Sequence, residues 1–217
     1  MASRPKQPEP RPAPRLYLIT PPVADAQGFT ADLAAALAAG DVAAVLLRLA
    51  EADERTAINR IKTLAPVVQD TGAALLLEGQ VDLVARAGAD GAHLLGIDAL
   101  SAALERLKPD RIAGAGGLSS RDDAMVAAEA GADYVMFGDF TGAQSPDRTL
   151  LEARVAWWAE VFELPCVAFA TSLRDIAPLV AIGADFIALD CVWRDPRGAS
   201  AAVAQAASQM KLPETIS

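Results

Sequence analysis

The stretch VARAGADGAHLL, residues 84–95, contains the pattern that decides the fold. The first part of this stretch has a helical pattern that ends at Gly88, where a left-handed residue can close the last turn of a helix. A short apolar run follows Asp90. The same Gly-Ala-Asp tripeptide precedes apolar runs at 131–133 and 183–185, and a shortened Gly-Asp does so at 40–41. Each interval between these glycines holds two strand–helix units of about 24 residues. The repeat therefore predicts four double units, each with its apolar run as an even-numbered strand.

Outward from this repeat, eight apolar runs alternate with Ala-rich segments of helical period. The runs are RLYLIT (15–20), AAVLLRL (43–49), AALLLEG (73–79), GAHL (91–94), RIAGAGG (111–117), YVMFGDF (134–140), PCVAFAT (165–171) and FIALDCVW (186–193). Strict alternation favours parallel strands joined by crossover helices. An open doubly wound sheet normally has fewer strands, so we predict a single (β/α)₈ TIM barrel over 15–211. A disordered Pro-rich tail at 1–14 and a short C-terminal tail at 212–217 flank it.

Composition limits the kinds of function. Hydrophobic residues make up 53% of the 217 residues but aromatic ones only 5%, so the core must consist of Ala, Val, Leu and Ile, as in buried parallel sheets. A net charge of −9 argues against nucleic acid as a partner. One histidine and two cysteines exclude a Cys/His zinc cluster and a disulfide framework. No signal peptide and no apolar run that could span a bilayer is present, so we expect a cytoplasmic protein with free thiols and no membrane partner.

The carboxyl ends of the strands share one rim in such a barrel, and that rim is the expected site. Arg48, Glu78 and Asp98 are the predicted catalytic residues there, with Glu78 and Asp98 as oxygen ligands of a divalent cation. Arg48 could instead pair with Glu78 or Asp190, and Asp98 could cap the helix that follows it. The single histidine, His93, is expected to be a hydrogen-bonded structural residue.

Backbone amides and hydroxyls after the fifth and seventh strands, and an arginine after the eighth, indicate phosphate binding. The predicted phosphate-binding residues are Gly116, Gly117, Ser119, Thr171, Ser172 and Arg194. The glycines could equally serve a tight turn, and Arg194 with its neighbours Arg174 and Arg197 could be solvated surface arginines. In the helical segment EARVAWWAEVF, one of Trp157 and Trp158 should face the barrel wall, and the other, partly exposed, would suit a homodimer contact.

Three segments carry a family resemblance: RLYLIT, VDLVARAGADGAHL and AAEAGADYVMFG. Their order and sequence resemble the thiamine phosphate synthase family, including its thiazole tautomerase branch, over most of the chain. The resemblance implies a TIM barrel and a transferase of thiamine biosynthesis. It also implies a reaction that joins an aminopyrimidine methyl diphosphate to a thiazole phosphate, with Mg²⁺ assisting departure of diphosphate.

The family's functional motifs are mostly altered in this chain. Of the family's Gln-x-Arg-x-Lys motif, found here at residues 46–50, only Arg48 matches, and its Asn-Asp pair is replaced by Glu78-Gly79. The His-Leu-Gly-Gln-x-Asp motif keeps its final acid as Asp98. The Ser-Thr-His motif is replaced at residues 116–118, the Thr-Pro-Thr-Lys loop at residues 140–146, and the Gly-Gly pair by Ala170-Thr171. The tautomerase histidine is therefore missing as well.

Lost electrostatic contacts of this kind cost about 3 kcal/mol each at the transition state. Three such losses slow a reaction on the order of a million-fold, so little or no synthase turnover is expected. The alternative is a catalytically degenerate paralogue that binds a phosphorylated small molecule or a protein partner. A third hypothesis is an assembly protein whose barrel mouth is plugged by Leu46, Leu95 and Phe140.

Overall fold

A computed structural model describes residues 12–143 and 147–210 of the chain. Both predicted tails, apart from residues 12–14, lie outside this part, and so do residues 144–146 of the loop after the sixth strand. In the described part, no helix combines the length and apolarity needed to cross a bilayer.

Eight parallel strands form a closed barrel in chain order, which confirms the predicted fold. They are β1 (Arg15–Ile19), β2 (Val42–Leu47), β3 (Ala74–Glu78), β4 (Gly91–Leu95), β5 (Ile112–Gly116), β6 (Tyr134–Phe137), β7 (Cys166–Ala170) and β8 (Phe186–Leu189). The barrel closes where β8 pairs with β1, in a register that runs from Arg15 opposite Phe186 to Leu18 opposite Leu189.

Among the residues that the structure describes, eight α-helices cover the barrel. They are α1 (Ala26–Leu37), α2 (Glu54–Gln69), α3 (Val81–Ala87), α4 (Ile97–Leu107), α5 (Arg121–Ala130), α6 (Arg148–Val161), α7 (Ile176–Ala181) and α8 (Ala199–Gln209), with 3₁₀ turns at Leu173–Asp175 and Cys191–Arg194. The sixth and eighth strands end earlier than the sequence suggested. Gly138 takes a φ of 97° and Asp190 adopts a helical conformation, so neither residue continues a strand.

The glycines of the repeat end helices, with one exception. Gly88, Gly131 and Gly183 have φ values of 79°, 107° and 97°, the left-handed conformation expected after a helix. The expectation is wrong for Gly40, whose φ is not positive. A Cβ at this position would lie 3.1 Å from side-chain atoms of Val203, so glycine here allows α8 to approach closely.

The aspartates of the repeat tie neighbouring strands together. In three of the four copies, one carboxylate oxygen accepts the backbone N–H of a residue at the start of the preceding odd-numbered strand. The bonds join Asp90 to Leu75 at 2.7 Å, Asp133 to Ala113 at 2.7 Å, and Asp185 to Cys166 at 2.8 Å. Asp41, in the shortened copy, is instead paired with the Arg15 guanidinium. The repeat thus fixes the amino end of the barrel, opposite the expected site.

The tandem tryptophans divide as predicted. Trp158 is fully buried and its Nε1 donates to the Leu164 carbonyl at 2.8 Å. Trp157 is half-buried, and the Arg121 guanidinium lies 4.7 Å from its ring centroid. Neither cysteine forms a disulfide; Cys166 is buried at the start of β7, and Cys191 is half-buried beyond β8.

Candidate active site at the carboxyl rim

Arg48 and Glu78 meet at the rim. Arg48 directly follows β2, Glu78 ends β3, and Nε of Arg48 lies 3.1 Å from Oε2 of Glu78. Both side chains are largely buried, with exposed fractions of 22% and 28%. Asp190, the other expected partner of Arg48, accepts from Arg194 at 3.0 Å instead. The predicted Arg48–Glu78 ion pair is therefore present, and a ligand role for these two residues stays a prediction.

Asp98 takes no part in this ion pair. It is exposed in the first turn of α4, and the residue at the N-cap position is Gly96, so the helix-cap alternative for Asp98 is wrong. Among residues 12–143 and 147–210, no three Asp, Glu, His or Cys side chains are grouped as metal ligands.

Two cavities open near the rim. The first, which we name the α6 cavity, has a volume of about 350 Å³ and lies over the ends of β4 to β7 and the start of α6. The second, the α3 cavity, has a volume of about 740 Å³ and reaches from the ends of β3 and β4 between α2, α3 and α4. Leu95, which is 41% exposed, lines both. The two cavities are therefore neighbours across one side chain.

The α6 cavity combines apolar walls with charged groups. Leu95, Leu118 and Phe169 contribute apolar surface, and Arg148 and Arg154 contribute guanidinium groups. The carboxylates that also line it are engaged by donors of the chain itself, since Asp139, Asp147, Glu152 and Asp175 accept from Thr141, Leu150, Arg148 and Ser172, respectively.

The two arginines of this cavity differ in their partners. Arg148 is paired with two carboxylates, Glu152 at 2.7 Å and Asp175 at 3.3 Å. Arg154 donates to the backbone carbonyls of Leu118, at 3.3 Å, and Ser119. A guanidinium bonded to carbonyls keeps its full charge, so Arg154 is the better anion-binding group of the two.

The predicted phosphate-binding residues are only partly brought together. Gly117 and Thr171 line the α6 cavity. The hydroxyls of Ser119 and Ser172 donate to Asp123 and Asp175, at 2.6 and 2.9 Å, within helix-capping arrangements. The Ser119 hydroxyl thereby holds the pKa of the Asp123 carboxyl below its ordinary value. Thr171 also donates to Asp175, at 3.0 Å.

The other predicted anion-binding groups lie outside both cavities. Arg194 and Arg197 are paired with Asp190 and Asp195 and, like Arg174, line neither cavity. Gly116 is buried at the end of β5. Phosphate binding by these residues stays a prediction.

Below the rim, a buried hydrogen-bonded chain crosses the barrel interior. His93 Nδ1 lies 2.8 Å from the Tyr134 hydroxyl, which lies 2.9 Å from the Tyr17 hydroxyl. His93 is fully buried, and this burial lowers its pKa to about 3. Burial also raises the pKa of both tyrosines. The hydrogen-bonded role expected for His93 is confirmed, and the imidazole is neutral near pH 7.

The glycines of β5 leave room for these rings. A Cβ at Gly114 would lie 2.0 Å from the Tyr134 ring, and a Cβ at Gly116 would lie 2.4 Å from Nε2 of His93. Neither distance is compatible with a side chain, so glycine is required at both positions. This packing role is one that the sequence pattern did not reveal.

Phe140 fills the centre of the mouth. Its ring is 7% exposed, and its centroid lies 5.6 Å from that of His93 and 6.4 Å from that of Phe169. The Arg48 guanidinium lies 5.4 Å from the same ring centroid. Of the three residues expected in a plugged mouth, Leu46 and Phe140 are buried, whereas Leu95 is exposed.

Sequence reasoning missed three parts of this site: Arg148 and Arg154 on α6, Asp175 beyond β7, and the contact of Phe140 with Arg48. The arginines belong to a helix rather than a strand end, so the rim rule did not select them. A search for arginines and lysines in the first two turns of each helix that follows a βα loop would have found both.

Together the closed parallel barrel and the cavities at its carboxyl rim define the class of protein, a (β/α)₈ barrel whose βα loops line those cavities. Comparison with known proteins narrows this class. Residues 16–190 match the family model described as thiamine monophosphate synthase. The chain belongs to this family.

Individual relatives agree with the family match. The thiamine-phosphate synthase of Rhodospirillum centenum is 46% identical over 196 residues, which cover 88% of this chain and 94% of the relative. That of Hyphomonas neptunium is 40% identical, over 90% of this chain and 93% of the relative. Among solved structures, thiamine phosphate pyrophosphorylase from Pyrococcus furiosus superposes with a TM-score of 0.76 at 23% identity, over 90% of this chain and 95% of that one. This last similarity shows the fold alone.

Proposed function

We propose that the chain is a thiamine-phosphate synthase, which joins an aminopyrimidine methyl diphosphate to a thiazole phosphate. The observation that supports this most is the 46% identity to a curated synthase over 88% of the chain, with Arg48 retained at the rim. In this reaction the bond between the pyrimidine methylene carbon and diphosphate breaks, and the diphosphate leaves with the electron pair. The thiazole nitrogen supplies its lone pair to form the new C–N bond.

Arg48 is the group we assign to the diphosphate. A guanidinium binds phosphate oxygens with two parallel hydrogen bonds, and it stays charged at any working pH. In the described structure Glu78 occupies part of this donor set, so the diphosphate would compete with Glu78 for Arg48. The charge that develops on the leaving diphosphate strengthens its bond to Arg48 as the reaction proceeds.

Glu78 and Asp98 are the residues that we propose would hold Mg²⁺. Their donor chemistry fits, since Mg²⁺ is commonly held by one or two carboxylates together with substrate phosphates and water. They follow the neighbouring strands β3 and β4, and Glu78 accepts only the Arg48 bond within the described part of the chain. When bound, Mg²⁺ supplies further neutralisation of the leaving diphosphate.

The α6 cavity is the proposed place of the thiazole phosphate. Leu95, Leu118 and Phe169 offer surface for a small ring, and Arg154 offers a charge for its phosphate. Gly117 and Thr171, two of the predicted phosphate-binding residues, line the same cavity. The guanidinium groups of α6 partly compensate for the family lysines that are absent from this chain.

Substitution of Arg48 tests the proposal. We expect R48A to lower kcat/KM for thiamine phosphate formation by about a hundredfold or more, because a transition-state contact worth about 3 kcal/mol is lost. The matched control is R15A, which removes the arginine of an ion pair at the opposite end of the barrel and should leave turnover unchanged. Equal activities of R48A and the unmodified chain would contradict the proposal.

The second candidate is the degenerate paralogue that binds a phosphorylated small molecule without turnover. Burial of Leu46 and Phe140 in the mouth favours it, and the expectation of little or no turnover stays a prediction. Binding of both substrates, measured by calorimetry, with no product formed would support this candidate over the synthase.

We further propose a cytoplasmic location, since neither cysteine is in a disulfide, and a homodimer formed through the side of the molecule that carries Trp157.

A further inference from the structure

Nε2 of His93 is a buried polar atom with no hydrogen-bond partner in the described part of the chain. The buried chain of hydroxyls indicates which hydrogen it carries. If Tyr17 donates to Tyr134 and Tyr134 donates to Nδ1 of His93, both hydroxyl hydrogens are used, and the ring hydrogen lies on Nε2. In the opposite direction, Nδ1–H donates to Tyr134 and Tyr134 donates to Tyr17. The Tyr17 hydrogen then has no acceptor, and Nε2 still has no partner. The first arrangement leaves fewer unsatisfied groups, so Nε2–H is a donor that lacks an acceptor.

An unmade hydrogen bond at a buried donor costs about 1–3 kcal/mol, and chains normally keep such a group only where something satisfies it. His93 is among the residues around the α3 cavity, but its imidazole is fully buried, so a ligand could supply the acceptor only after a neighbouring side chain moves. Gly116 lacks the side chain that would otherwise close off Nε2.

The ring of Phe140 packs against this imidazole, with the two ring centroids 5.6 Å apart. It contacts His93, which lines the α3 cavity, and Phe169, which lines the α6 cavity. The Arg48 guanidinium lies over the same ring. The place of Phe140 is thus the space of one flat ring, bordered by a cation and by the imidazole that carries the unsatisfied N–H.

We propose that Phe140 is a gate that holds the place of the substrate's pyrimidine ring, and that Nε2–H of His93 binds a ring nitrogen once Phe140 moves aside. This inference rests on the proposed function. A pyrimidine nitrogen is an acceptor, which Phe140 cannot offer, so the exchange of one ring for the other satisfies the buried donor.

The chain's single histidine allows a direct test. The protein is prepared without a polyhistidine tag, with histidine labelled by the heavy nitrogen isotope, and its imidazole is observed by NMR. We expect the Nε2–H tautomer in the free protein. Addition of the aminopyrimidine methanol, the substrate ring without its diphosphate, should shift the Nε2 resonance. The carbocyclic analogue 2-aminobenzyl alcohol, which has no ring nitrogen, should leave that resonance unchanged. An unchanged Nε2 on saturation with the pyrimidine, or the Nδ1–H tautomer, would overturn the inference.

Affinity in a gate variant supplies a second readout. F140A should bind the aminopyrimidine methanol about tenfold more tightly, because the free protein no longer has to displace the phenyl ring. The control F162A removes a half-buried ring at the end of α6, far along the chain from the mouth, and should leave the affinity unchanged. Equal or weaker binding by F140A would contradict the gate.

These measurements need no turnover, so they separate the two proposals. A shifted Nε2 in an inactive protein would retain the inference and reject the synthase activity. Ordinary turnover with an unchanged Nε2 resonance would retain the synthase activity and reject the inference.

Discussion

His93 illustrates how burial decides what a residue can do. A histidine near an active site usually suggests an acid or a base that works near neutral pH. Here complete burial lowers the pKa to about 3, so the imidazole stays neutral and acts through hydrogen bonds. Positive charge at the rim therefore comes from arginines, and His93 contributes an uncharged hydrogen-bond donor.

The depressed pKa of His93 has a consequence for stability. In the unfolded chain the imidazole binds a proton near pH 6.5, whereas in the folded chain it does so only near pH 3. The stabilisation that the folded chain gains from keeping His93 neutral is therefore complete above about pH 6.5, and it is lost as the pH falls. The free energy of unfolding should decrease by up to about 1.4 kcal/mol per pH unit from this group.

Urea unfolding at pH 7, 6 and 5, combined with NMR of the single imidazole, measures this effect. The folded-state imidazole should show no titration across that range while stability declines. An imidazole resonance that titrates near pH 6.5 in the folded protein would refute the prediction.

At the scale of elements, the Gly-Ala-Asp repeat organises the even-numbered strands from the amino end. Three of its aspartates accept a backbone N–H of a neighbouring strand, and the fourth, Asp41, pairs with the exposed Arg15. The repeat is therefore a structural element of the barrel and leaves the opposite rim to the ligand site.

The two kinds of aspartate should differ in their effect on stability. D185A leaves the buried N–H of Cys166 without its acceptor, which should cost about 1–3 kcal/mol. D41A removes only an exposed ion pair, which should cost about 0–1 kcal/mol. Urea unfolding of both variants at pH 7 compares the two losses in the free energy of unfolding. Equal losses would show that the bond from the Cys166 N–H to Asp185 stabilises the fold no more than the exposed ion pair does.

Much of the fold could be predicted from the sequence because the repeat and the eight apolar runs are periodic along the chain. The Arg48–Glu78 pair also followed from strand order, since the ends of β2 and β3 must be neighbours. The place of Phe140 could not be predicted. Its ring depends on the path of a loop, and no local pattern tells whether a loop phenylalanine turns into the barrel or away from it.

The helical arginines were missed for a related reason. Arg154 reaches the site because α6 packs beside the loop after β5, where it meets the Leu118 carbonyl. That contact spans two elements that are far apart in the chain. Helix periodicity alone gives no sign of it, and only the closed barrel brings the two elements together.

At the scale of the whole molecule, one rim presents two adjacent cavities that share Leu95, and Phe140 packs against a lining residue of each. Two cavities of this kind suit a reaction between two small molecules. Arg154 lines the α6 cavity, and Arg48 lies at the mouth, where it pairs with Glu78, a lining residue of the α3 cavity. In the proposed function each substrate therefore has its own cation for an anionic group. This division is the central claim of the proposed function.

A crystal structure of the chain with both substrates, magnesium being withheld to prevent reaction, tests this claim most directly. The account predicts diphosphate density beside Arg48, the pyrimidine ring over His93 with Phe140 displaced, and the thiazole phosphate in the α6 cavity near Arg154. Both ligands bound elsewhere, or Phe140 still seated over His93 beside a bound pyrimidine, would contradict it.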